Sequence, residues 1–282
     1  MNKGSLLLVP AGGLANRMRA VVSAYNLCRA TESEMQVVWI RDWALNARFH
    51  DIFESVDSRL FGLREARMSD YLINDRPRRR NLWLPRWPQK MVYERRIYEQ
   101  YVTPLKMRGF DFESWLRGHR CYMSCYQEFG TYPHDLYTRI FRPVAAVREQ
   151  VENNCRRFTA HTIGMHIRRT DNVESIAKSP TSLFIDAGRK EMICHPDLRI
   201  YLATDSDEVK REMREVFGER IITPCETAGR GNAEGIRGGL AEMWTLSRTM
   251  RIYGSAGSSF STMAASIGGN PITILTKESA VR

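Results

Sequence analysis

Arg168 and Arg169 end an apolar run, Ile163-Gly164-Met165-His166-Ile167, and are followed by Thr170 and Asp171. A run of this length reads as a buried strand, and guanidinium groups at a strand's carboxyl end lie where open α/β sheets place their ligands. The planar fork of arginine matches phosphate oxygens, so the chemistry indicated is recognition of an anion, best a diphosphate. An Arg-Asp surface pair capping the strand is the plain alternative. Strand alternation puts His166 on the face of Arg168 and sends Arg169 to the other. A strand histidine is more often a satisfied core residue than a base.

Three further segments combine turn glycines, hydroxyls or carboxylates with a strand-to-helix transition. In Ala11-Gly12-Gly13-Leu14-Ala15-Asn16-Arg17 the glycines allow close backbone approach to a ligand, and the following helix amino terminus favours negative charge. The segment lacks the GK[ST] ending of a P-loop and the spacing of GxGxxG, and a simple tight turn stays open as a reading. Asp205-Ser206-Asp207 has the spacing by which many glycosyltransferases hold a divalent metal against a diphosphate. The same residues, with Glu208 behind them, make an ordinary helix cap, which is the preferred reading. Ser258-Ser259-Phe260-Ser261 brings small hydroxyl side chains into a helix start, as phosphate donors or as a cap.

These segments need an α/β frame. Residues 5–10 read as a strand, 11–16 as a turn, 17–31 as a helix and 36–40 as a second strand, a βαβ opening. Residues 41–141 read as irregular, with short pieces such as a strand at 120–125. Pro143 suits a first helical turn, and that helix is expected to end near residue 158. Strands at 163–168, 199–204, 220–224, 251–254 and 271–275 then alternate with helices at 181–193, 206–217, 235–249 and 259–267. Such alternation implies a parallel, doubly wound sheet, and the break at Pro143 divides the chain into domains 1–142 and 143–282.

The chain of 282 residues has a net charge of +10, which favours acidic partners: a nucleotide-sugar, an anionic membrane surface or nucleic acid. Arg76 to Arg80, followed by Trp83 and Trp87, is suited to RNA or lipid headgroups, or to a solvated loop with its tryptophans folded onto the core. The loop is the preferred reading, and no specific nucleic-acid partner is expected. No apolar run approaches the ~20 residues that cross a bilayer, and residues 1–4 lead straight into a strand. A cytoplasmic location is expected, with peripheral contact at the inner membrane surface as a variant. The cysteines at 28, 121, 125, 155, 194 and 225 form no CxxC pair and read as reduced, structural thiols.

Taken together, the segments resemble the GT-B-type fucosyltransferases, the family of nodulation, α-1,6- and protein O-fucosyltransferases. Gly12 to Arg17 is similar to that family's GGxxNQ/R loop, and His166-Ile167-Arg168-Arg169-Thr170-Asp171 to its HxRRxD motif. Thr204-Asp205 closes an ATD strand, Arg237-Gly238 through Glu242 resembles RGxxxD, and Ser258 to Ser261 resembles SSF[ST]. The resemblance covers mainly residues 163–268 and the opening loop.

It implies two facing Rossmann-like domains, the carboxyl-terminal one holding GDP-fucose and the amino-terminal one serving a glycan or glycolipid acceptor, with inverting transfer and no obligatory metal or other cofactor. By position, Arg168 would contact the β-phosphate with help from Arg169, Ser258, Ser259 and the helix start at Phe260 and Ser261. His166, Asp205 and Glu242 would lie near the guanosine, and Gly12, Gly13, Asn16 and Arg17 would line the ligand cleft. Two departures stand out: Asn172 replaces a lysine, and Glu174, the residue available as catalytic base, comes early. Two alternatives remain: a transferase using another nucleotide-sugar with metal at Asp205 and Asp207, or a non-catalytic polyanion binder.

Overall fold

Apolar stretches bounded by turn residues become the central strands of two separate sheets. The computed structural model describes residues 3–77, 86–170, 173–224, 229 and 231–278. Its chain divides into two units, Met1–Arg142 and Pro143–Arg282.

In the first unit β1 (Ser5–Pro10) is central, with β2 (Glu34–Trp39) and β3 (Gly62–Glu65) on one side and β5 (Arg120–Cys125) and β4 (Arg95–Ile97) on the other. The pairing is parallel, with Leu6 opposite both Met35 and Cys121. Helix α1 (Leu14–Ala30) begins three residues before the expected start at residue 17. Gly12, at φ 76°, reverses the chain within one residue, so Gly13 already caps the helix and Asn16 and Arg17 lie inside it. Among the described residues, the stretch expected to be irregular holds strands β3 and β4 and six short helices: α2 (Phe49–Ile52), α3 (Met68–Ile73), α4 (Arg86–Val92), α5 (Glu99–Met107), α6 (Phe112–Leu116) and α7 (Leu136–Ile140). Strands of three and four residues are too short to show a period of two, and their pairing with β5 and β2 is what defines them.

The second unit repeats the plan around β6 (Thr162–Ile167), flanked by β7 (Arg199–Thr204) and β8 (Ile221–Ile222) on one side and β9 (Ile252–Ser255) and β10 (Ile272–Leu275) on the other. Its helices are α8 (Ala145–Cys155), α9 (Val173–Lys178), α10 (Thr181–Cys194), α11 (Asp207–Phe217), α12 (Ala233–Leu246) and α13 (Ser259–Gly268). The alternation read from the sequence is present; α9 was not expected, α8 stops before residue 158, and β8 keeps two residues of an expected five-residue strand.

Strand β6 shows why its two faces differ. Ile163, Met165 and Ile167 enter a core with Phe184, Leu202 and Met213. On the opposite face, a Cβ at Gly164 would stand 2.7 Å from Leu246 Cδ2 and 2.9 Å from Thr249 Oγ1. Glycine there lets the end of α12 approach the sheet, and His166 shares that side.

Among the described residues no helix is long and apolar enough to cross a membrane. Cys28, Cys121 and Cys125 are free and buried, and burial pushes each thiol up to about 12. Residues 78–85, with Trp83 and most of the Arg76 to Arg80 run, lie outside the described residues, as does Cys225. Trp87 is 65% exposed on α4, contrary to the expectation that it folds onto the core.

Candidate functional site

In the second unit the chain leaves β6 toward β7 and leaves β9 toward β10, in opposite directions across the sheet. The carboxyl ends of β6 and β9 are therefore the topological switch point, where such sheets leave a crevice for a ligand. Register places His166 opposite Ala203 on one neighbour and Gly254 on the other. His166, Arg168, Asp205, Ser258 and Phe260, from three of the segments singled out in the sequence, come together at this edge.

Arg168 is fixed from two directions. Its amide donates to Ser255 Oγ at 3.2 Å, and its Nε lies 3.1 Å from Asp205 Oδ2. Asp205 also accepts from the Arg169 amide at 2.7 Å and from the Thr170 hydroxyl at 2.7 Å. Burial raises the Asp205 pKa, but the Thr170 hydroxyl, the Arg169 amide and the Arg168 charge outweigh it and hold the carboxyl below the usual range. A braced guanidinium keeps one orientation as a ligand arrives.

His166 is buried and stacks on Phe260 with centroids 4.7 Å apart. Its Nδ1 lies 3.4 Å from Ser258 Oγ. Burial and then the Arg168 charge depress its pKa to about 3, against a smaller opposing pull from Asp205, so the ring is neutral at ordinary pH. Ser258 is the N-cap residue of α13, yet its side chain makes no capping bond, and the first turn of that helix carries no acidic residue. The positive end of α13 is thus uncompensated by its own side chains. Ser261 is fully buried, and its Oγ has no hydrogen-bond partner among the described residues.

Glu242, on α12, is buried and has no hydrogen-bond partner among the described residues. Burial pushes it up to about 8; Lys210 pulls the other way and Asp205 adds to the rise. Lys210 is itself paired with Asp207 at 3.0 Å.

Other candidates occupy different surroundings from those expected. Arg169 turns away from the edge: its guanidinium donates to Arg168 O and Ser179 O, each at 2.8 Å, and to Thr181 Oγ1 at 3.1 Å. It ties the loop to the start of α10 instead of extending toward a phosphate beside Arg168. Glu174 is exposed on α9 and paired with Lys178 at 2.9 Å, one turn away. Asp171 and Asn172 lie outside the described residues. Ser206 caps α11 by accepting from the Val209 amide, and the Asp205 and Asp207 carboxylates serve separate cations. Among the described residues no three His, Cys, Asp or Glu side chains group as a metal site.

In the first unit the glycine turn follows central strand β1. A Cβ on Gly12 would lie 3.1 Å from Asn16 Nδ2, whereas the space beside Gly13 is open. Arg17 was expected to line the cleft but is fully buried. It donates to Gly12 O at 2.8 Å, Ile40 O at 2.6 Å and Asp42 Oδ1 at 3.0 Å, and its guanidinium covers the Trp39 ring at 4.9 Å. Burial lowers its pKa to about 10, still cationic at neutral pH. Arg76 bonds the other oxygen of Asp42 and is also buried. Arg17 therefore positions the turn.

Sequence reasoning missed Glu99. It is half-buried at the carboxyl end of β4 and has no side-chain hydrogen bond among the described residues. Its pKa is raised by burial, opposed by Arg76 and reinforced by Asp42 and Asp75. Recognising β4 was the signal required, because only then does Glu99 become an acid at a strand's carboxyl end.

No protein-family model matches the sequence, and no curated protein matches it. Among solved structures, the chain is similar to NodZ alpha-1,6-fucosyltransferase soaked with GDP-fucose, at 15% identity over 94% of this chain and 93% of that chain, TM-score 0.67. A further NodZ structure, from Bradyrhizobium, matches with TM-score 0.61 at 14% identity over 94% and 93% of the two chains. Arabidopsis thaliana FUT1 in complex with GDP matches at 14% identity over 97% of this chain and 70% of that one, TM-score 0.64. POFUT1 in complex with GDP-fucose matches at 10% identity over 97% and 98%, TM-score 0.58. At these identities the likeness establishes the fold, the two-sheet α/β architecture of GT-B fucosyltransferases.

Proposed function

We propose that this protein is an inverting glycosyltransferase that takes fucose from GDP-fucose and passes it to a hydroxyl of a glycan or glycolipid acceptor. The observation that carries the reading is the switch-point edge of the second unit, where Arg168, braced by Asp205, stands with the amino terminus of α13, whose first turn carries no acidic residue, and the neutral His166. As the bond from the sugar to the diphosphate breaks, negative charge grows on the leaving β-phosphate. A fixed guanidinium and the positive end of a helix stabilise that charge more in the transition state than in the ground state. Ser258 and Ser259 add hydroxyl donors at the same helix start. Glu242 is the group assigned to the base: ionised, its two oxygens suit the adjacent N–H donors on the guanine edge.

In this reading the second unit is the donor side and the first the acceptor side. The acceptor hydroxyl must lose a proton as it attacks the anomeric carbon. Glu99 is the carboxyl best suited to take it, being half-buried, without a side-chain hydrogen bond among the described residues and raised above the usual carboxylate range by burial, whereas Glu174 is held in a solvent-exposed pair. The positive charge that other transferases draw from a metal is assigned here to Arg168 and α13. The net charge of +10 and exposed Trp87 support peripheral contact with an anionic membrane from the cytoplasmic side.

Thermal unfolding in the presence of GDP, UDP, ADP and CMP, with and without EDTA, tests the donor assignment. GDP at ~100 times its dissociation constant should stabilise by about 2.7 kcal/mol, unchanged by EDTA. A UDP preference abolished by EDTA would overturn it in favour of a metal-dependent transferase. Glu99→Gln separates the base from donor binding: transfer should fall at least ~100-fold while GDP affinity stays as in the wild type.

A further inference from the structure

The first unit carries a cavity of about 410 Å³ at the carboxyl ends of β2 and β3. That is the ligand end of a parallel sheet, and the volume falls in the lower range of small-molecule sites, enough for one or two sugar rings. Arg41, Arg48, His50, Asp51, Glu65 and Tyr71 line it. Its back wall is rigid, because Trp39 donates from Nε1 to Ala47 O at 3.1 Å and packs edge-on against Phe49.

The charges around the cavity differ in how they are used. Asp51 accepts from the Arg48 amide at 2.8 Å, and Glu65 accepts from the Phe49 amide at 2.6 Å. The guanidinium groups of Arg41 and Arg48 have no hydrogen bond or ion pair among the described residues. Both belong to the stretch that follows β2, and both border the same space. Glu65 is raised by burial, with the Phe49 amide, His50 and Arg41 opposing and Asp51 reinforcing. An acceptor on the wall and two cationic forks at the rim differ from a bare phosphate site, where the carboxyls would repel the ion. They fit a ligand that presents hydroxyl groups and an anion on one ring.

We propose that this cavity is a subsite for an acidic sugar, whose carboxylate or phosphate lies between Arg41 and Arg48 while a ring hydroxyl donates to Glu65. Its role in catalysis rests on the reading of the first unit as the acceptor side, and it identifies the acceptor as an anionic saccharide. Arginine supplies a bidentate grip on either anion, and Glu65 adds the discrimination that a simple basic patch lacks.

Calorimetric titration of the whole protein with methyl glucuronide, glucose 6-phosphate and methyl glucoside tests this, with GDP titrated in parallel. At least one anionic sugar should bind at least ~10-fold more tightly than the neutral glucoside, and the comparison of the two identifies the anion. The double substitution Arg41→Ala and Arg48→Ala should remove that preference while leaving GDP binding unchanged. Glu65→Gln should weaken the sugar acid but not inorganic phosphate. Equal binding of all three sugars, no binding of either anionic one, or an intact preference in the double variant would each overturn the subsite. Loss of GDP recognition with the anionic-sugar preference intact would instead overturn the GDP-fucose reading and leave the subsite standing.

Discussion

In the proposed reading Arg168 carries the chemistry of the donor side, with its Nε held 3.1 Å from Asp205. Arg168→Lys keeps the charge and loses the fork, so it separates geometry from electrostatics. Removing the guanidinium altogether, in Arg168→Ala, should cost roughly 3 to 4 kcal/mol of transition-state stabilisation, about 100- to 1000-fold in turnover. Lysine should recover part of this, and GDP affinity should fall less than turnover in both variants. Donor hydrolysis and transfer, set beside calorimetric GDP affinity, make the comparison; wild-type turnover in Arg168→Ala would refute the assigned role. Glu242 offers a second test through pH. Its folded value of about 8 lies above the ordinary carboxyl value of 4.5, so the folded protein keeps a proton that the unfolded chain has lost between those values. Stability from this group is present below pH 4.5 and is lost as pH rises through 8. His166, depressed from 6.5 to about 3, acts in the opposite sense and only below about pH 6.5. Between pH 6.5 and 8, wild type should therefore lose melting temperature relative to Glu242→Gln, while GDP affinity of the wild type rises as the carboxyl ionises. A flat difference between the two proteins across that interval would remove the linkage.

Elements decide how closely these residues can meet. Central strand β6 presents His166 on the side where α12 presses against Gly164, so the helix carrying Glu242 approaches the strand carrying His166. Gly164→Ala would insert a carbon at 2.7 Å from Leu246 and force α12 outward. The expected cost is ~1 to 3 kcal/mol of stability, read as a lower denaturant midpoint with an unchanged slope. GDP affinity should fall with it, because Glu242 moves with the helix. Unchanged stability would show that α12 yields freely and that the spacing is not held by this contact. The Gly12 turn works differently: its left-handed conformation lets α1 begin at Leu14 and places Arg17 under the loop, where it bonds the Gly12 carbonyl.

Each half of the molecule has a five-stranded sheet with its own central strand and its own buried residues. Units built in this way are expected to unfold as separate cooperative blocks. Differential scanning calorimetry should resolve two transitions, with GDP raising the one that belongs to residues 143–282 and the acidic sugar raising the other. A single transition moved equally by both ligands would contradict the assignment of one ligand to each unit.

Local order along the chain carried much of this. The apolar runs at β1, β6 and β7, the cap at Ser206 and the alternation of strands and helices after Pro143 are short-range features, set by side-chain periodicity and by hydrogen bonds within a few residues. The sequence alone determined the α/β class and pointed to the switch-point segments. Burial and pairing across the chain were decided only on folding. Arg17 and Arg169 match a ligand-binding pattern as residue types, yet their guanidinium groups close on backbone carbonyls as far away as Ile40 and Ser179. Glu242 and Glu99 acquire their raised values from desolvation, which no local pattern encodes. The cavity at the carboxyl ends of β2 and β3 exists because Gly62–Glu65 pairs with Gln36–Trp39, and β3 is too short to announce itself in the sequence. Periodicity is a property of neighbours in sequence, whereas solvent exclusion depends on which distant segments come to lie together, and that separates what was legible from what was not.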